Sequence, residues 1–348
     1  MEEERLAEFR RVGCVAWSSD GTGLAAGDNY GVVARHALVD GAFVSRGVVR
    51  VSPRDAPVAA LCAPTPELVA AATADGTIAL LPWTSVSAPG DEPVLHTLAT
   101  GRTLGALCVA QSAGSAPWLV VAPQPTAFDV ATLRECARLG DDSRTASVVC
   151  AVGDGHRVAT GGLDGALRLW DLRAPQTPTA VLRAPGTPSP CCCIAANADG
   201  RLLAGASEDG DVLVWHTGAQ TLVAHTGNEN SAPAVDIAFA HDGTLLCALL
   251  GARGFVAYAL SGTRSDDAHP ELPHVGLLRE AFRSTDAGAD DILALCERSC
   301  SDACAADPSG AMPVRLPPRP LRAVGCADGT VAVFDGPSRV VSLPWPRG

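Results

Sequence analysis

The chain has 348 residues, 47% of them apolar but only 4% aromatic, with 35 glycines, 26 prolines and a formal charge of −12. That length and apolar content suffice for one repeat ring or for two ordinary domains cored by Ala, Val and Leu. The acidic balance repels phosphate backbones; the 26 basic residues, all arginine and scattered without an aromatic-interleaved stripe, speak against direct nucleic-acid binding and exclude lysine-based chemistry.

In chain order, residues 1–11 have the Glu/Leu/Phe spacing of a short amphipathic helix, marginal alone, and lack the apolar core of a signal peptide. Seven groups of short apolar runs follow, each bounded by Gly, Asp or Pro turns. The first covers 12–17, 24–26, 32–36 and 43–49; the second 58–62, 68–72 and 78–83; the third 104–110, 118–122 and 127–130, with Pro123 and Pro125 at its turn. The fourth covers 148–152, 157–160 and 166–171; the fifth 192–196, 202–205 and 212–216; the sixth 235–240, 245–249 and 255–260. The seventh is split into 292–296, 321–326, 330–334 and 340–343. Its interruption, 298–320, is rich in Ser, Asp and Pro, cannot bury a core, and reads as an inserted mobile loop.

A turn glycine ties these groups together, at Gly31, Gly76, Gly165, Gly210, Gly254 and Gly329. The steps are 45, 89, 45, 44 and 75 residues, so one degenerate copy lies within the second step and the insertion within the last. Asp75, Asp164, Asp209 and Asp328 each precede such a glycine. The clearest copy runs Thr160-Gly-Gly-Leu-Asp164-Gly165-Ala-Leu-Arg-Leu-Trp170-Asp171. A unit of this length, built of short strands and ending in Trp-Asp, resembles a WD repeat. The expected fold is therefore all-β: one seven-bladed WD-repeat β-propeller over residues 12–345, with four antiparallel strands per blade. Residues 340–343 complete blade seven from the same end of the chain, so the ring closes by blade packing.

Thr160, Asp164 and Trp170 read as parts of the polar tetrad that stitches such blades, since a buried indole N–H needs a partner. The tetrad's histidine is missing before residue 148. His225 stands at the matching place before blade six, but that blade has Gly251-Ala-Arg-Gly254 where the tetrad needs Asp. Asp171, Asp75, Asp209, Trp215 and Asp328 are read as structural blade residues in the same way.

The 13 cysteines, an odd number in a well-cored chain, point to reduced thiols. Cys296, Cys300 and Cys304 are evenly spaced but lack a fourth ligand and a paired knuckle, so no metal is expected. Cys191, Cys192 and Cys193 enter an inner strand as small hydrophobes. There is no nucleophile elbow, His-Glu-x-x-His or phosphate-cradling glycine loop, and no apolar run near the ~18 residues of a membrane span. The expectation is a non-enzymatic chain with no cofactor, no small-molecule substrate and no membrane partner. Two short motifs remain. Pro317-Pro318-Arg319-Pro320 has polyproline character, and Trp170-Asp171-Leu172-Arg173 matches the box found in WD-repeat substrate receptors of cullin-type ubiquitin ligases.

Blade one is distinctive: Leu24-Ala-Ala-Gly27-Asp28-Asn29-Tyr30-Gly31 places Asn-Tyr-Gly where other blades have Asp-Gly. This stretch resembles the first blade of the THO complex subunit 6 family. The repeat from Gly161 to Arg173 and the closing Val331-Ala-Val-Phe334 with Val341-Ser-Leu343 resemble that family's central repeat and carboxyl-terminal strand pair. The resemblance implies a nuclear scaffold of the messenger-RNA export assembly TREX, docked on THO coiled-coil subunits 5 and 7 and touching RNA only indirectly. Within blade one, a tyrosine in a tight polar turn suits an interface anchor. Asp28, Asn29 and Tyr30, together with 1–11, are the expected partner contact.

Overall fold

The computed structural model describes residues 10–40, 42–83, 94–111, 116–140, 146–153, 155–184, 189–226, 233–240, 245–249, 255–260, 276–283, 292–297, 321–335 and 338–345, with the backbone alone for 248–249, 255, 260, 276–283 and 292–297. These residues form seven blades of four antiparallel strands. Blade one is β1 (Val12–Trp17), β2 (Gly23–Asp28), β3 (Val32–Val39) and β4 (Ala42–Arg50); blade two is β5 (Val58–Thr65), β6 (Leu68–Thr73), β7 (Thr77–Pro82) and β8 (His96–Ala99). Blade three is β9 (Ala106–Ala110), β10 (Trp118–Ala122), β11 (Thr126–Asp129) and β12 (Glu135–Arg138); blade four is β13 (Ala146–Ala151), β14 (Arg157–Gly162), β15 (Leu167–Asp171) and β16 (Ala180–Leu182). Blade five is β17 (Cys191–Ala196), β18 (Leu202–Ser207), β19 (Val212–His216) and β20 (Thr221–His225); blade six is β21 (Ala234–Phe239), β22 (Leu245–Leu249), β23 (Phe255–Leu260) and β24 (Gly276–Arg283). Blade seven is β25 (Ile292–Glu297), β26 (Leu321–Cys326), β27 (Val331–Asp335) and β28 (Ser338–Leu343). The leader as far as residue 9, the insertion 298–320 with Cys300 and Cys304, and the turn from Gly251 to Gly254 lie outside the described residues.

The second strand of each blade is sandwiched between neighbouring sheets, which explains its small residues. Ala25, Ala26, Ala70, Ala71 and Ala72 are fully buried, and a Cβ at Gly23 would stand 2.6 Å from the Trp83 ring of the next blade. A strand covered on both faces reads as continuous apolar sequence rather than as alternation. The outer strands of blades two and three, β8 and β12, are by contrast only four residues long and largely exposed. The outer strands of blades two to six were not among the runs read from the sequence.

Inner strands β1, β5, β13, β17, β21 and β25 each slip register near their start. At these bulges side chains stitch one blade to the next. Cys14 Sγ faces the Val58 carbonyl at 3.4 Å, Ser147 Oγ donates to the Cys191 carbonyl at 2.8 Å, and Cys192 Sγ faces the Ala234 carbonyl at 3.4 Å. Cys191 and Cys193 are buried on either side. The cysteine triplet is thus a packed seam with weak thiol donors.

All four strands of blade seven come from its own end of the chain, with β28 paired to β27, and β1 lies beside β25 and β26. Val12, Trp17 and Leu24 of blade one share a core with Ala323, Val331, Val333 and Leu343 of blade seven. Each fully buried Val or Leu in such a seam contributes on the order of 2 kcal/mol. The same kind of core joins every other neighbouring pair. In addition, a two-residue parallel bridge joins β20 to β24 at the outer edges of blades five and six.

Candidate interaction surface

Because neighbouring strands run antiparallel, the turn between a blade's second and third strands emerges at the same end as the connection into the next blade. The described periodic glycines, Gly31, Gly76, Gly165, Gly210 and Gly329, sit in these turns. Gly76 has φ +91°, and a Cβ there would lie 2.1 Å from the Arg102 carbonyl oxygen. Gly31 has φ +74°, and a Cβ there would lie 2.4 Å from the Ser52 side chain. Only glycine fits both the dihedral and the approach.

Side chains cap these turns. Asp75 accepts the Thr73 hydroxyl and, at 2.9 Å, the Ser52 hydroxyl, as well as the Thr77 N–H. Burial pushes its carboxyl up, but these donors outweigh burial and hold it below the usual carboxylate range. Ser52, fully buried in the connection before blade two, thereby ties that connection to the turn. A hydroxyl at that place gave no sequence signal. Asp328 accepts the N–H and hydroxyl of Thr330. Asp209 is exposed, and its turn is held instead by Ser207 Oγ accepting the Asp211 N–H.

In blade four, Trp170 Nε1 donates to Thr160 Oγ1 at 2.9 Å. Asp164 does not join them. Paired to Arg168 at 2.6 Å and Arg183 at 3.3 Å, its carboxyl is held down to about 2, chiefly by the Arg168 hydrogen bonds. The tetrad is therefore reduced to a Trp–Thr pair, with the aspartate turned to the arginines beside it. Asp171 accepts the Arg173 guanidinium and also falls to about 2. Trp215 is buried against blade four, beside Leu169, Ala180 and Leu182.

Blade one solves the capping problem differently. Asp28 Oδ1 accepts the N–H groups of Tyr30 at 2.9 Å and Val32 at 2.8 Å. Asp28 thus stands three residues before its turn glycine, where Thr73 and Ser207 stand in theirs and likewise accept the N–H four residues on. With the cap moved back, position 30 is relieved of it, and a tyrosine is tolerated there. Asn29 exchanges two hydrogen bonds with Arg11: its Oδ1 accepts the Arg11 N–H at 2.8 Å and its own N–H reaches the Arg11 carbonyl at 3.2 Å. Of the three residues, Asp28 is fully buried, whereas Asn29 and Tyr30 are half-buried.

Away from these turns, Arg35 on β3 is only 2% exposed, and its guanidinium meets the carbonyl of Pro82, the last residue of β7 in blade two. Between blades two and three lies a cleft of about 280 Å³ whose wall includes Leu98, Leu104, Val121, Phe128 and Leu133. Among the described residues no three His, Cys, Asp or Glu side chains converge as a metal-ligand set, and no helix is long and apolar enough to cross a membrane.

The family model described as WD domain, G-beta repeat matches residues 139–171 and 176–216. The two matched segments end at the third strands of blades four and five, each at its Trp-Asp or Trp-His, so these blades are WD repeats set within a seven-bladed ring.

Proposed function

We propose that the chain is a non-enzymatic protein-interaction scaffold, and specifically a subunit of a THO/TREX-like nuclear assembly that couples transcription and processing to messenger-RNA export. The coarse part of this reading is supported by the WD-repeat ring, whose turns end in rigid caps and present loops rather than a catalytic constellation. The finer part is carried by the Asn29-Tyr30-Gly31 turn of blade one, with the resemblance it bears. The partners are coiled-coil subunits 5 and 7, and RNA is met only through other subunits, in keeping with a net charge of −12. The decisive experiment is affinity purification of the full chain from nuclei followed by mass spectrometry. Recovery of THO subunits 5 and 7 in stoichiometric amounts is expected; a partner set without any THO subunit sinks the reading.

One observation favours a second reading. Arg173, at the end of Trp170-Asp171-Leu172-Arg173, has a side chain 70% exposed, as a cullin-adaptor contact requires. Loss of a co-purifying cullin adaptor in Arg173→Ala, with other partners retained, would favour the substrate-receptor function.

A further inference from the structure

We propose that the cleft between blades two and three docks a short segment of a protein partner carrying one bulky apolar side chain beside a carboxylate. This deepens the scaffold reading, on which it rests, by naming the chemistry of one partner contact. The cleft's volume of about 280 Å³ lies just below the ~300 Å³ at which ligand pockets begin, room for one large side chain and little more. Leu104, Val121, Phe128 and Leu133 are buried in its wall and offer only apolar contact.

The mouth has the opposite sign to the molecule. Arg102, Glu135 and Arg138 surround it. The Glu135 carboxylate is already engaged by Arg138, whose Nη2 donates to Oε2 at 2.9 Å. The Arg102 guanidinium, exposed at the rim, has no hydrogen-bond partner among the described residues. Its backbone is nevertheless fixed. Thr100 Oγ1 accepts the Arg102 N–H at 3.3 Å and donates to the Gly76 carbonyl at 2.8 Å. A cation carried on a fixed backbone beside an apolar hole, on a chain with a net charge of −12, selects a carboxylate attached to an apolar anchor. Because its backbone is already ordered, less ordering entropy opposes binding.

The test pans a random display library of peptides against the full chain, then measures one enriched peptide by fluorescence anisotropy. Enriched sequences should place Leu, Phe, Met or Trp within two positions of Asp or Glu. Arg102→Glu should weaken the synthesised peptide at least about tenfold, a loss that shrinks with added salt. Arg201→Glu, a matched charge change on exposed blade five, should leave affinity within about twofold. Circular dichroism of both variants guards against misfolding. Failure to enrich such peptides, or affinity indifferent to Arg102→Glu, overturns the assignment. So does finding that Arg102→Glu instead abolishes self-association of the chain or oligonucleotide binding. Recovery of THO subunits by the wild-type chain is read separately, so the cleft can fail while the scaffold stands.

Discussion

Arg10 Nε lies 2.9 Å from Asp28 Oδ2, and the same guanidinium sits over the Trp345 ring at 4.9 Å. One side chain thereby connects blade one to the segment that follows the last strand of blade seven. The two atoms are close but misaligned for a hydrogen bond, so the attraction is coulombic. Burial pushes the Asp28 carboxyl up, against the pull of the Val32 and Tyr30 N–H groups and of Arg10. Arg10→Ala leaves that buried carboxylate without its nearest cation and should cost roughly 3 kcal/mol in urea unfolding. The sign of its pH dependence follows. With its native pKa raised further, Asp28 favours folding below its unfolded value near 4 and loses that contribution as pH rises through the native one. The variant should therefore be more destabilised at pH 7 than at pH 4.5; an equal deficit at both would contradict the pairing.

Ser52→Ala removes one donor from Asp75 and breaks the only side-chain link from that connection to the turn of blade two among the described residues. A hydrogen bond to a charged group is worth about 1.5–3 kcal/mol, and that range is the expected loss. Asp75 is depressed in the native state, so its contribution is present above the unfolded pKa and fades as pH falls. The variant should raise the Asp75 carboxyl pKa in an NMR titration. An unchanged titration would show that Thr73 and Thr77 suffice.

Arg35 is a buried cation with no carboxylate partner among the described residues, and its Nε meets no acceptor. Burial lowers its pKa, yet a guanidinium stays charged. Arg35→Met keeps the apolar stem and removes the charge. It should leave unfolding stability unchanged or raise it by about 1 kcal/mol. A loss of more than about 2 kcal/mol would mean that the guanidinium is compensated by a partner.

The ring was legible because its strongest signals are local. A turn glycine with φ between +70° and +91° recurs from blade to blade, with a preceding aspartate in blades two, four, five and seven, and buried second strands demand Ala and Gly. The capping chemistry was not legible, because it depends on which residue reaches the turn from outside it. Asp28 looks like one residue of a polar run until its Oδ1 is seen on the Val32 N–H. Ser52 carries no mark of its link to Asp75, twenty-three residues on. The one usable signal was a small polar residue three places before the glycine, shared by Asp28, Thr73 and Ser207. Asp164 misled for the opposite reason: it has the sequence position of a tetrad aspartate, but the nearby Arg168 and Arg183 claim its carboxylate.

Blade four offers an acid-range test. Asp164 and Asp171 both titrate near 2 in the folded chain, against about 4 unfolded. Depressed carboxylates contribute stability above the unfolded pKa and lose it between about pH 4 and pH 2. Asp164→Asn should flatten the fall in melting temperature across that window while lowering stability at pH 7. The effect should be modest, because Arg183 is well exposed and solvent screens the pair. A fall with pH as steep as in the unsubstituted chain would assign the acid sensitivity to other groups.

Tyr30 gives the sharpest test of the proposed partner surface. Its N–H serves the Asp28 cap, a backbone bond that Tyr30→Ala retains, and its side chain is half-buried rather than core. Truncation should therefore change stability by no more than about 1 kcal/mol. Arg11 still holds Asn29 and Arg10 still faces Asp28, so the rim keeps its shape without the ring. If Tyr30 anchors the coiled-coil subunits, losing that large rigid surface should reduce recovery of THO subunits 5 and 7 in pull-down by at least about tenfold. Tyr30→Phe separates the two contributions of the side chain: recovery restored by Phe assigns binding to the ring, and recovery still lost assigns it to the hydroxyl. Undiminished recovery with Ala, or a variant that unfolds, removes Tyr30 from the interface.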